Sequence, residues 1–160
     1  MGTEKLKFKI ELFATMWNKP PVAEICINET SISKKDITGT ESNPDVIEFE
    51  HELEEGKNYN LAIKMSGKGL EQTIVNEKGD VLKDQLLNIK SIEIDEIDIG
   101  GLVFEGVYKP EYPEPWASQQ RSAGIELQKE FKNVTQMGHN GTWSFRFESP
   151  FYMWLLENLY

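Results

Sequence analysis

The sequence predicts an all-β fold: an antiparallel β-sandwich, jelly-roll-like, with a short C-terminal α-helix at about 150–159. Three observations predict it. Apolar and polar residues alternate along several stretches. Clusters of glycine, proline, asparagine and aspartate divide those stretches at short intervals. The alternation then yields to a helical period in SPFYMWLLENLY, at the end of the chain. The expectation is about eight to ten short strands and one helix. At 160 residues the chain is expected to form a single domain, 1–160. That size buries roughly 70% of the unfolded surface without a disulfide or structural metal.

The first strand is the clearest. In KLKFKIELF, Leu6, Phe8, Ile10 and Leu12 share one face, with Lys5, Lys7, Lys9 and Glu11 on the other; this is the pattern of a half-buried strand. WNKPP breaks it, and VAEICINE resumes with Ala23, Ile25 and Ile27 in phase. The polar run 30–44 reads as a long loop with a short edge strand around Ile32 to Ile37. VIEFEHEL places Ile47, Phe49, His51 and Leu53 on one side, and after the turn EEGKN, YNLAIKMSG does the same with Tyr59, Leu61, Ile63 and Met65. These two read as an antiparallel hairpin. TIVNEKGDVLKD reads as a second hairpin, turning at Lys78-Gly79-Asp80. In IEIDEIDIG, Ile92 and Ile94 are even-numbered whereas Ile97 and Ile99 are odd. Burying both pairs on one face requires a bulge or tight turn at Asp95-Glu96. SAGIELQKEFKNVTQMGHNG is open between a short helix and loops. TWSFRFES alternates again through Trp143, Phe145 and Phe147, with Arg146 opposite. In the final segment Ser149 suits an N-cap and Pro150 the first helical position, and Phe151, Trp154, Leu155 and Leu159 fall on one helical face.

Charge and composition narrow the function classes. The net charge is −10, and an acidic surface repels phosphate backbones, so nucleic acid is not an expected partner. No stretch has the length of a membrane span, and no membrane insertion is expected. The opening MGTEKLKFKIELFA lacks an unbroken apolar core, so the chain is expected to begin in a cytoplasm. Cys26 is the single cysteine and sits in a strand pattern, which suits a small buried residue better than a nucleophile.

Catalytic templates are missing. The sequence has no nucleophile elbow, no phosphate-cradling glycine loop and no zinc-protease motif. Its two histidines, His51 and His139, are too few for a multi-histidine metal centre; His51 reads as a core or rim residue and His139, within MGHNG, as a turn residue. The expectation is therefore a protein that is not an enzyme and carries no organic cofactor. The one candidate ion is calcium, because Asp95, Glu96 and Asp98, brought together by the inferred bulge, would offer hard oxygen ligands. The stretch lacks a recognised calcium-loop spacing, and solvated strand faces explain the same acids.

The segment YKPEYPEPWASQQ, 108–120, carries the functional argument. Proline at 110, 113 and 115 holds it extended. Tyr108, Tyr112 and Trp116 are spaced by four, which in an extended chain puts them on one side. Three readings stay open: a cover for the open end of the core, an anchor for a protein partner, or a surface on which sugar rings stack. Trp154, on the terminal helix, is a fourth candidate contact residue.

The phrases Ile92 to Ile99, Tyr108 to Pro113, and Gly138 to Leu155 resemble those of small β-sandwich proteins of tailed bacteriophages, especially contractile-tailed phages of marine cyanobacteria. The resemblance implies a non-catalytic structural or accessory protein, made in the host cytoplasm and placed on the virion, with virion proteins or further copies of itself as partners. Over the first hundred residues the chain also resembles calcium-dependent xylan-binding modules in fold. That likeness implies a carbohydrate-binding module, with a polysaccharide or host surface glycan as ligand, and transfers no binding residue, since their calcium-ligand motif has no match here.

Overall fold

The computed structural model describes residues 2–69, 73–78, 80–100 and 106–159. Gly79, expected in the second hairpin's turn, and the side chain of Leu159 lie outside the described residues. The strands are β1 (Thr3–Thr15), β2 (Val22–Ile27), β3 (Thr30–Asp36), β4 (Asp45–Glu54), β5 (Asn58–Ser66), β6 (Ile74–Val75), β7 (Val81–Lys83), β8 (Leu86–Ile94), β9 (Ile97–Asp98), β10 (Val107–Pro110), β11 (Phe131–Lys132), β12 (Gln136–Met137) and β13 (Gly141–Glu148). The helices are α1 (Trp116–Ser122) and α2 (Phe151–Leu159). None of the described helices is long and apolar enough to cross a membrane.

Eleven of these strands build two facing antiparallel sheets, which is the predicted sandwich, and β6 and β7 pair as a separate ribbon. One runs β12-β8-β1-β4, with β9 beside β8, and the other runs β11-β10-β13-β5-β2-β3. The alternation places the core as expected. Leu6, Phe8, Ile10 and Leu12 of β1 are buried against Ala23, Ile25 and Ile27 of β2 and Leu61, Ile63 and Met65 of β5. Trp143, Phe145 and Phe147 of β13 stack in a row with ring centroids 6.4 and 6.3 Å apart. Cys26 is buried too, outside this cluster and opposite Ala62 of β5.

One pairing differs from expectation. β4 does not form a hairpin with β5: β4 pairs with β1 in the first sheet, and β5 pairs with β13 and β2 in the second. Alternation fixes which face of a strand is buried, and a hairpin and an arch across the core satisfy that condition equally. The chain takes the arch, and the Tyr59 hydroxyl accepts the Glu54 N–H at 2.7 Å across it.

The shift between Ile92/Ile94 and Ile97/Ile99 is absorbed by a two-residue turn. Asp95 and Glu96 both have positive φ, 52° and 68°, and Ile94 pairs directly with Ile97. This is the tight-turn solution of the parity conflict, and it keeps Ile92, Ile94 and Ile99 buried. The terminal helix runs where expected, but Ser149 does not cap it. Glu4, from β1, accepts the Phe151 N–H at 2.8 Å and the Ser149 hydroxyl. A carboxylate at a helix N-terminus satisfies an orphan donor and faces the positive end of the dipole. Trp154 turns inward, 8% exposed, edge-on to Phe145 at 5.6 Å. It is a core residue, which corrects its reading as a contact residue.

Candidate functional site

The site is assembled where β10 leaves its sheet. Pro110 lies opposite Gly141 on β13. A Cβ at Gly141 would stand 2.4 Å from the Lys109 carbonyl oxygen and 2.8 Å from the Pro110 Cα, so only glycine lets the two backbones meet. Glu111 then donates its N–H to the Asn140 carbonyl at 2.6 Å. Beyond it the chain does not stay extended. α1 begins at Trp116, and the Ala117 N–H already reaches back to the Pro113 carbonyl at 2.8 Å.

This change of backbone overturns the one-sided row of three rings. Tyr108 lies on β10 and points inward, 4% exposed, stacked on Phe131 at 6.2 Å. Tyr112 and Trp116 remain partly exposed, and the spacing that brings them together is one turn at the helix entrance. Their ring centroids are 5.9 Å apart, tilted by 39°. His139 completes the cluster, 5.0 Å from Tyr112 and 5.6 Å from Trp116. Its reading as a turn residue alone is therefore corrected.

Tyr108 serves this cluster from beneath. Its hydroxyl donates to the His139 carbonyl and accepts the His139 N–H at 3.0 Å. Burial pushes the phenol up to about 12, so it is a neutral donor across the physiological range. Burial also lowers the His139 pKa, with the Lys68 ammonium adding to the effect and Asp84 opposing it, so the imidazole is a neutral ring at pH 7. Tyr108→Phe is expected to leave both backbone groups of His139 short of a partner and to lower stability by about 1–3 kcal/mol. Urea denaturation measures the loss.

A polar floor adjoins the rings. The Lys68 ammonium, its side chain 9% exposed, donates to Asp84 Oδ1 at 2.6 Å and to the Gly138 carbonyl at 2.5 Å. Asp84 Oδ1 also accepts the Thr73 hydroxyl and the Gln85 N–H, each at 2.8 Å. Lys68 and Asn140 are locked reciprocally: the Lys68 N–H donates to Asn140 Oδ1 at 3.0 Å, and Asn140 Nδ2 donates to the Lys68 carbonyl at 2.9 Å. Val75 and Val81, paired across the β6–β7 ribbon, close the far side. The result is a groove of about 630 Å³, within the size range that holds a small organic ligand.

The acidic turn does not make a calcium site. Asp95 Oδ1 accepts the Lys7 N–H at 2.7 Å and Oδ2 accepts the Tyr152 hydroxyl at 3.0 Å. Asp98 Oδ1 accepts the Gly100 N–H at 2.7 Å. Among the described residues, no three histidine, cysteine or acidic side chains come together in a way that would hold a metal ion. Calcium requires six to eight converging oxygens, and Asp95, Glu96 and Asp98 do not fit that requirement. Asp95 is spent on holding β1 and α2, and Asp98 on the Gly100 N–H.

No family model matches the chain, and no curated protein matches it. Two solved structures are similar to it. One is described as "Circular permutation provides an evolutionary link between two families of calcium-dependent carbohydrate binding modules", a selenomethionine form of vCBM60; the TM-score is 0.50 at 7% identity, over 88% of this chain and 89% of that one. The other is "vCBM60 in complex with galactobiose", with a TM-score of 0.49 at 8% identity, over 87% of this chain and 96% of that one. The likeness at a TM-score of 0.50 shows a common fold alone. The bacteriophage part of the resemblance rests on the sequence phrases alone.

Proposed function

We propose that the protein is a non-catalytic carbohydrate-binding module that holds a glycan in the groove walled by Tyr112, Trp116 and His139. The observation that carries this reading is the joining of three partly exposed rings to a floor of fixed hydrogen-bonding groups. Sugar rings have apolar C–H faces that pack on aromatic rings and hydroxyls that need donors and acceptors in set directions. The groove offers both: Tyr112 and Trp116 for the faces, and Lys68, Thr73, Asn140 and Glu111 for the hydroxyls. The fold shared with vCBM60 supports the module reading. The rings are mutually tilted, so they suit a single chain in solution better than a flat crystalline surface. A panel of neutral oligosaccharides, titrated calorimetrically with calcium and again with a chelator, tests the proposal. Binding is expected in at least one series and equally in both conditions. Failure of every series overturns it.

A second reading has its own observation. On the outer side of α2, Tyr152, Met153 and Leu156 are 46%, 62% and 62% exposed. Such apolar side chains suit a contact with another virion protein or a further copy, as the bacteriophage resemblance implies. Light scattering, alone and with purified particles, would support it by showing association; a strict monomer bound to nothing would remove it. The sugar reading is preferred because its groups converge on one groove.

A further inference from the structure

On the far side of Tyr112 lies a second cavity, of about 440 Å³, lined by Pro110, Tyr112, Arg121, Glu126, Leu127 and Lys129. Residues 110–113 form a ridge between the two. Glu111 and Pro113 border the first groove, Pro110 borders the second, and Tyr112 borders both. α1 is shared in the same way. Trp116 and Arg121 are five residues apart, about 140° around the helix axis, so one helix gives its first residue to one cavity and its last turn to the other.

The ridge is held in place from the second side. The Tyr112 hydroxyl donates to the Gln128 carbonyl at 2.5 Å, and Gln128 Nε2 donates to the Glu130 carbonyl at 2.8 Å. Leu127 and Lys129 flank Gln128 in the chain, so the bond that fixes the ring also fixes both of them beside it. Arg121 lies 3.7 Å from Glu114. The cavity's two cations are thus offset by Glu114 and Glu126, which makes it a poor trap for a free anion. What remains is an apolar wall of Pro110, Leu127 and Tyr112, with a guanidinium fork, an ammonium and a carboxylate at its rim. That combination matches the face and hydroxyls of a neutral sugar.

We infer that the second cavity is a further sugar subsite, and that the ligand is a neutral oligosaccharide long enough to cross the Tyr112 ridge. The inference rests on the glycan reading of the first groove. Its test is the affinity of each chain length, from one to six units, in the best-binding series of the panel. For the wild type, affinity is expected to rise about tenfold or more once the chain spans both cavities, the worth of one hydrogen bond to a charged group. The double variant Arg121→Ala/Lys129→Ala, both exposed positions, is expected to erase that rise and to leave the shortest ligand's affinity within about twofold. A wild type with no gain from length, or a gain that survives in the double variant, overturns the inference while the first groove stands as a glycan site. A wild type that binds no length at all overturns the glycan reading itself, and the second subsite with it.

Discussion

Trp116→Ala is expected to weaken glycan binding by about 100-fold, the cost of truncating an aromatic hot spot, and to leave the fold intact. The ring reaches its neighbours Tyr112 and His139 at the edge of the groove and is partly exposed, so its removal opens no void in the core. Alanine is also the best helix former at the start of α1, and the packing of that helix rests on Ala117, 1% exposed. Calorimetric titration measures the first effect, and a thermal melt the second. A ring that only roofs the core would give the opposite result: a loss of stability of about 3–5 kcal/mol. Retained affinity in a folded variant would refute the role assigned to this residue.

The largest expected effect on stability lies in the floor of the groove. Asp84→Ala leaves the Lys68 ammonium, already withdrawn from solvent, with the Gly138 carbonyl as its one acceptor among the described residues. Removing one partner of a buried pair costs about 3 kcal/mol or more. Thr73 and the Gln85 N–H lose their acceptor in the same step. Denaturant titration of the variant gives the magnitude. Acid should reproduce part of the effect. Burial raises the Asp84 pKa, but the hydrogen bonds from Lys68, Thr73 and Gln85 together outweigh it and hold the carboxyl below its ordinary value of 3.8. A folded-state pKa that is depressed contributes stability in full above the unfolded value and loses it as pH falls through the lowered one. The wild type should therefore lose stability below about pH 4 through this group, and Asp84→Ala should lack that component. An identical acid profile in both proteins would exclude the pair as a source of stability.

Much of the sandwich was legible because burial in a sheet is a local pattern. β1, β2, β5 and β13 each carry their core face in their own alternation, and the parity conflict among the isoleucines located the turn at Asp95-Glu96 without any knowledge of partners. The arch between β4 and β5 was not legible, since the same alternation serves two different pairings. Of the site, Tyr112 and Trp116 could be found from aromatic density among prolines. Density does not say which rings point inward, so it does not separate the buried Tyr108 and Trp154 from the partly exposed rings. Spacing by four puts rings on one side only in a continuous strand, whereas the helix begins at Trp116. His139 had only the neighbouring Asn140-Gly141 turn signal to mark it. Lys68 had none, because its partners Asp84, Gly138 and Asn140 are 16, 70 and 72 residues away, and pairing at that distance leaves no periodic trace.

The carboxylate of Glu4 binds the first residue of the last helix, and Gly2 accepts the Glu55 N–H at 3.0 Å, so Gly2 and Glu4 lie at the pole where β13 finishes. Lys68 and Asn140 stand at the other end of the same strands. β13 has eight residues and spans about 27 Å at the rise of an antiparallel strand. A tether attached beside Gly2 therefore sits at the opposite pole and leaves the mouth of the groove facing away from it.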